Sequence, residues 1–149
     1  MSGRSAVQLL VDIVAKGGNL LFNIAPGPEG QWHDEAYRLL DDIGLWMNVN
    51  SEAIYGTRAL SPYKEGKVCI SKKGDHTIYI YYLADDNEQM PEQISMSSFS
   101  LPAGAKVKML GTDPSLKLAN TDKGFIVSIP AKIRKSPPSN YVWVVKATF

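Results

Sequence analysis

Two stretches decide the fold: Lys16-Gly17-Gly18-Asn19-Leu20-Leu21-Phe22-Asn23-Ile24-Ala25-Pro26, and downstream Asn50-Ser51-Glu52-Ala53-Ile54-Tyr55-Gly56-Thr57-Arg58. In sequence they read as a helix end, a glycine stop, a short apolar strand, a Pro/Gly loop and a second helix. That order is the closing unit of a parallel β/α barrel. A strand this short and this apolar cannot stand alone, so its neighbours are expected outside the chain.

Working outward, Val7, Leu10, Val11 and Val14 fall at i, i+3, i+4 and i+7, one face of a helix. Ser5 with Gln8 three residues on predicts a capping box at its start. Gly17-Gly18 supplies a left-handed stop. The strand Asn19–Ile24 sorts into two faces, Leu20, Phe22 and Ile24 against Asn19, Leu21 and Asn23. Pro26-Gly27-Pro28-Glu29-Gly30 breaks both periods and reads as a loop. A second amphipathic helix is predicted from about Asp34 to Asn48, with Ala36, Leu39, Leu40, Ile43, Trp46 and Met47 as its buried stripe.

From Leu60 the period falls to two. Runs at 67–71, 77–83, 93–99, 105–110, 115–119, 124–129 and 141–147 are separated by turn material such as Lys73-Gly74-Asp75 and Gly111-Thr112-Asp113-Pro114. About seven punctuated strands predict an antiparallel β-sandwich. The expected class is therefore α+β, mostly β: a helix-strand-helix piece of a (β/α)8 barrel over 1–61, then a sandwich over 62–149. Charge supports a boundary near Pro62. Residues 1–61 carry four Lys/Arg against seven Asp/Glu, and residues 62–149 carry twelve against eight. A barrel needs about 250 residues, so residues 1–61 hold only its end.

The net charge of +1 gives no general attraction to nucleic acid or to an acidic membrane surface, and no apolar run is long enough to span a bilayer. Cys69 is the only cysteine, which rules out an internal disulfide. The helical pattern begins directly after Met1-Ser2-Gly3-Arg4, without a signal-peptide block. His33 and His76 share no metal-ligand spacing with Cys69 or any acid, and the glycines fit no nucleotide loop. No metal and no cofactor is expected.

The run Val11-Asp12-Ile13-Val14-Ala15-Lys16-Gly17-Gly18-Asn19-Leu20-Leu21-Phe22-Asn23-Ile24, then Gly44-Leu45-Trp46 through Arg58, resembles the C-terminal part of the α-L-fucosidases of glycoside hydrolase family twenty-nine. The likeness is strongest over residues 9–58; beyond, strand rhythm and placement agree. Ser51 departs from the glycine more usual there. The resemblance implies a retaining hydrolase of terminal α-L-fucose, with an aspartate nucleophile and a second carboxylate about 5 Å away. Both acids would lie upstream of the matched stretch. The resemblance also implies an extracellular, periplasmic or lysosomal setting. Expected partners are a fucosylated glycan bound through the parent enzyme and the remainder of the barrel.

The candidate substrate-binding residues are Asn23 and Trp32. Asn23 lies toward the strand end at which barrel enzymes build their sites, placed either to line a sugar pocket or to satisfy backbone groups in the barrel mouth. Trp32, with His33, borders the following loop, placed either to flank a sugar ring or to pack the helix start. Glu29 shares that loop as a solvated carboxylate. Glu52 reads as structural, in a hydrogen bond or an ion pair with Arg58. Lys132–Lys135 reads as a solvated loop. No catalytic residue is expected within the chain, which is predicted to be inactive alone. It should either self-associate through residues 5–50 or fold them onto its own sandwich. An alternative makes the sandwich a non-catalytic carbohydrate-binding module, with Tyr79, Tyr81, Tyr82, Tyr141 and Trp143 as its platform.

Overall fold

The computed structural model describes all of residues 1–149. The first helix, α1, spans Gly3–Ala15. It begins earlier than the predicted Ser5 cap: the Ser2 hydroxyl accepts from the Ser5 N–H at 3.1 Å, and the Ser5 hydroxyl accepts from the Ser2 N–H at 2.9 Å. A serine at the third helical position thus returns the bond usually made by Glu or Gln. Gln8 instead donates to the Ala84 carbonyl at 2.6 Å and ties the helix to the sheet. The C-terminus closes as the glycines require. Gly17 sits at φ 86°, its N–H reaching the Val14 carbonyl and that of Gly18 the Ile13 carbonyl, both at 2.9 Å.

The predicted strand over 19–24 is not a strand here. The segment belongs to no ladder. Its side chains still alternate: Leu20, Phe22 and Ile24 are half-buried, whereas Asn19, Leu21 and Asn23 are exposed. The two-faced pattern is encoded locally, while pairing requires neighbouring strands that the chain does not place there. Helix α2 then spans Asp34–Asn50. Of its predicted stripe only Trp46 is buried; Leu39, Leu40, Ile43 and Met47 stay half-exposed.

After a 3-10 turn at Ser51–Ala53 come eight strands: β1 (Arg58–Glu65), β2 (Val68–Lys73), β3 (Thr77–Leu83), β4 (Gln93–Met96), β5 (Lys106–Met109), β6 (Ser115–Asn120), β7 (Phe125–Ser128) and β8 (Val142–Thr148). One is more than the periodicity suggested. β1 escaped because its ladder with β2 is interrupted between Ala59 and Lys64, around Pro62. Proline is tolerated there because β1 is an edge strand. The Lys132–Lys135 cluster is also ordered rather than looped. It forms a short helix, α3 (Ala131–Lys135), pinned by the buried Ile133.

All pairings are antiparallel, in the order β1-β2-β3-β8-β5-β6-β7-β4. The sheet folds over at β6, which pairs with β5 at its start and with β7 beyond, and brings β4 back beside β2. Glu65, at the end of β1, fastens this return. Its carboxylate accepts from the Ser97 N–H at 2.7 Å and from the Ser97 hydroxyl at 3.0 Å.

Two cores share this sheet. Between the layers lie Ile70, Ile80, Ile94, Met96, Val107, Met109, Phe125, Val127, Trp143 and Val145. On the outer face of β2, β3 and β8, residues Cys69, Tyr79, Tyr81, Leu83, Val142 and Val144 meet Val7, Val11 and Ala15 of α1 and Trp46 of α2. Trp46 is 1% exposed and donates its indole N–H to the Val142 carbonyl at 2.8 Å. Strands buried on both faces read as near-continuous apolar runs, which explains Thr77–Leu83 and Val142–Val145.

Candidate functional site

The extended segment 19–24 and the two helices enclose an apolar groove of about 810 Å³. Leu10 and Val14 come from α1, Leu40, Ile43 and Met47 from α2, and Leu20, Phe22 and Ile24 from the segment. These side chains are apolar and only half-buried, so what the groove offers is mainly apolar surface, with Asn19, Thr57 and Arg58 at its polar part.

Trp32 lines this groove, 40% exposed, with its ring tilted 51° against Tyr37 at 5.6 Å. It packs the start of α2 and still offers a face to solvent. Asn23 is exposed on the opposite side of the segment, beside Leu21, which is 84% exposed. The two candidates therefore occupy different faces. Glu29 and His33 are exposed, and His33 occupies the N-cap position of α2 without a side-chain capping bond.

Glu52 is structural, but its partner is not Arg58. Its carboxylate accepts from Lys146 Nζ at 2.6 Å and from the Tyr79 hydroxyl at 2.9 Å, while Arg58 donates to the Thr57 carbonyl. Partial burial works to raise the Glu52 pKa; the bonds from Lys146 and Tyr79 outweigh it, and the net shift is downward. Burial first and Glu52 second push the Tyr79 phenol upward. Sequence separation hid these partners, since Tyr79 and Lys146 meet only through the β3–β8 ladder.

A polar cleft of about 730 Å³ lies between the start of α1 and the 84–90 loop. Asp85 and Glu88 line it and belong to a cluster that the sequence reading missed, whose members come from β3 and from loops. Lys67 Nζ bridges Asp85 at 2.6 Å and Glu88 at 2.8 Å, and Glu88 also accepts from the Tyr82 hydroxyl at 2.6 Å and the Asp85 N–H at 2.7 Å. Arg4 pairs Asp86 at 2.7 Å. Two carboxylates sharing Lys67 invite comparison with a glycosidase pair, but the state of Glu88 is wrong for a proton donor. Burial raises the Glu88 pKa, and the bonds from Lys67 and Tyr82 more than reverse that, so it stays ionised. A proton donor needs a raised pKa and a free path to the leaving oxygen. This cluster locks a loop.

The aromatic platform also disappears in three dimensions. Tyr79 and Tyr81 are buried under the helices, and Trp143 lies between the sheet layers, stacked on Tyr82 at 5.9 Å. Tyr81 donates to the Ala53 carbonyl at 2.5 Å, and Tyr141 is half-buried. With the rings of Tyr79, Tyr81 and Trp143 inside, the strand residues proposed as a platform do not form one. Cys69 is fully buried, and burial pushes its thiol up to about 11, which makes it unreactive.

The alpha-L-fucosidase family model matches residues 1–52. An alpha-L-fucosidase of Branchiostoma floridae is 31% identical over 144 residues, which is 94% of this chain and 31% of that protein. The tissue alpha-L-fucosidase of Homo sapiens is 30% identical over 148 residues, 95% of this chain and 30% of its own length. Among solved structures, the Thermotoga maritima alpha-fucosidase in complex with a mechanism-based inhibitor superposes with a TM-score of 0.84 at 28% identity. That match covers all of this chain and 34% of that one. The chain spans about a third of the length of these relatives. Helices, unpaired segment and folded sheet together match, from one end of the chain to the other, the C-terminal part of proteins of the α-L-fucosidase family.

Proposed function

We propose that this chain is the C-terminal part of a retaining α-L-fucosidase, an enzyme that removes terminal α-linked L-fucose from glycans, and that it is catalytically silent by itself. The observation that carries the reading is the segment 19–24: extended, two-faced, unpaired and bordering an open apolar groove. Such a segment is a barrel strand awaiting neighbours on both edges. Residues 1–61 would complete the barrel, and residues 62–149 would brace it through the sheet face packed on α1 and α2. In the completed barrel Asn23 faces the interior and Trp32 stands at the mouth, where each touches or supports the fucose pocket. The nucleophile and the acid/base would come from earlier barrel strands, since the close acids of this chain are spent on Lys67. Alone, the chain is expected to associate with a second copy through the unpaired segment.

Incubation of the purified chain with an aryl α-L-fucoside tests the reading. No turnover above a protein-free control is expected, and turnover would overturn the claim of silence. Sequencing the DNA upstream of Met1 tests the parentage: an in-frame barrel-coding region supports it, and a stop codon directly upstream refutes it.

A further inference from the structure

Strands β2 to β8 carry Lys72, Lys73, Lys106, Lys108, Lys117 and Lys146 and not one Asp or Glu. Five of these lysines point to the outer face: Lys73 reaches the Glu52 carbonyl at 3.1 Å, and the other four gather on β8, β5 and β6. In β5, Val107 and Met109 point into the inter-layer core, so Lys106 and Lys108 point out. In β8, Val145 and Ala147 point in and Lys146 points out; in β6, Leu116 points in and Lys117 out. The ladder sets Lys108 directly opposite Lys146, and Lys106 opposite Thr148. Lys117 follows Leu116, the partner of Val107, at the fold of β6, so it borders the same group.

Like charges at directly opposed positions destabilise a sheet. The only ion pair offsetting this group joins Lys146 to Glu52; Lys106, Lys108 and Lys117 have none. Helices α1 and α2 cover the other flank of this face, over β2, β3 and β8, and leave β5 and β6 open. An arrangement that costs stability and leaves three exposed ammonium groups side by side fits an anionic partner.

We infer that the outer face of β8, β5 and β6 binds an acidic polysaccharide, one bearing sulfate or carboxylate groups on its sugars. Strands about 4.8 Å apart present the ammonium groups as a row of point charges, which suits an anion series without fixed orientation. The alternative of nucleic acid fits less well. These strands contain no arginine, and their one aromatic residue, Trp143, faces the core, so neither forked phosphate recognition nor base stacking is available. The choice of a glycan rests on the fucosidase reading; the lysine face itself does not.

The test measures binding of the purified chain to dextran sulfate, to neutral dextran and to duplex DNA at low and moderate salt. Expected is saturable binding to dextran sulfate that weakens steeply with salt, none to neutral dextran, and weaker binding to DNA. The K106Q/K108Q/K117Q variant should bind dextran sulfate roughly tenfold more weakly. Lys108→Glu should also lose binding while raising Tm, because it puts opposite charges across the ladder. Unaltered binding in either variant, or no binding by the parent chain, overturns the inference. DNA binding as tight as dextran sulfate binding overturns the glycan assignment. Fucoside turnover is read in a separate assay, so a failure of the fucosidase reading is distinguishable from a failure here.

Discussion

Glu52 sits in the strongest motif of the chain and performs no chemistry that the geometry supports. It fastens the turn after α2 to Tyr79 and Lys146. Because its folded pKa is depressed, its contribution exists above the unfolded value near 4.3 and vanishes as pH falls through the folded value. The pair is partly solvent-exposed, so Glu52→Gln should cost only about 0.3–1 kcal/mol at pH 7 and less at pH 3. Urea denaturation at the two pH values checks this, and an equal loss at both would contradict it. Gly124 is a sharper case. A Cβ there would collide with the Met96 carbonyl and the Ser97 Cα, where the return of β4 crosses the start of β7. Gly124→Ala is expected to cost about 1–3 kcal/mol by overpacking, measured as a lower urea midpoint. Nothing in the sequence marks Gly124 apart from other turn glycines, because the backbone it meets is distant along the chain.

Among the elements, what was legible was local. The face of α1, the glycine stop at its end, the extent of α2 and most strand positions follow from periodicity and turn chemistry between near neighbours. Strand order, the interrupted β1, the true partners of Glu52 and the Lys67 cluster all depend on which distant segments meet, and no single-sequence pattern carries that. The candidates Asn23 and Trp32 were picked from strand position and loop neighbourhood alone, and their placement on opposite faces was not legible. Trp46 shows how an element is anchored: Trp46→Phe keeps most of the volume but takes from the buried Val142 carbonyl its indole donor at 2.8 Å, leaving only the longer bond from the Ser139 hydroxyl at 3.3 Å. A loss of about 0.5–1.5 kcal/mol is expected, read by chemical denaturation. The segment 19–24 is the unanchored element. Leu21→Lys should shift the chain toward monomer in sedimentation equilibrium at micromolar concentrations, because a charge on an unpaired edge blocks strand addition. An unchanged association state would remove the segment from the interface.

The molecule as a whole is built on a sheet whose two sides were assigned different duties. The inner side makes a sandwich, as the alternating runs suggested. The outer side of β2, β3 and β8 is equally apolar, and periodicity alone does not separate the two sides because both kinds of burial leave the same signature. The helices are therefore not a detachable preface. A polypeptide starting at Pro62 would present Cys69, Tyr79, Tyr81, Leu83, Val142 and Val144 to water as one oily plate. Such a truncation should bind ANS strongly and precipitate on concentration, whereas the full chain should do neither to the same degree. Anyone dividing this protein for expression would have to carry the helices along, since the sandwich borrows its roof from what precedes it.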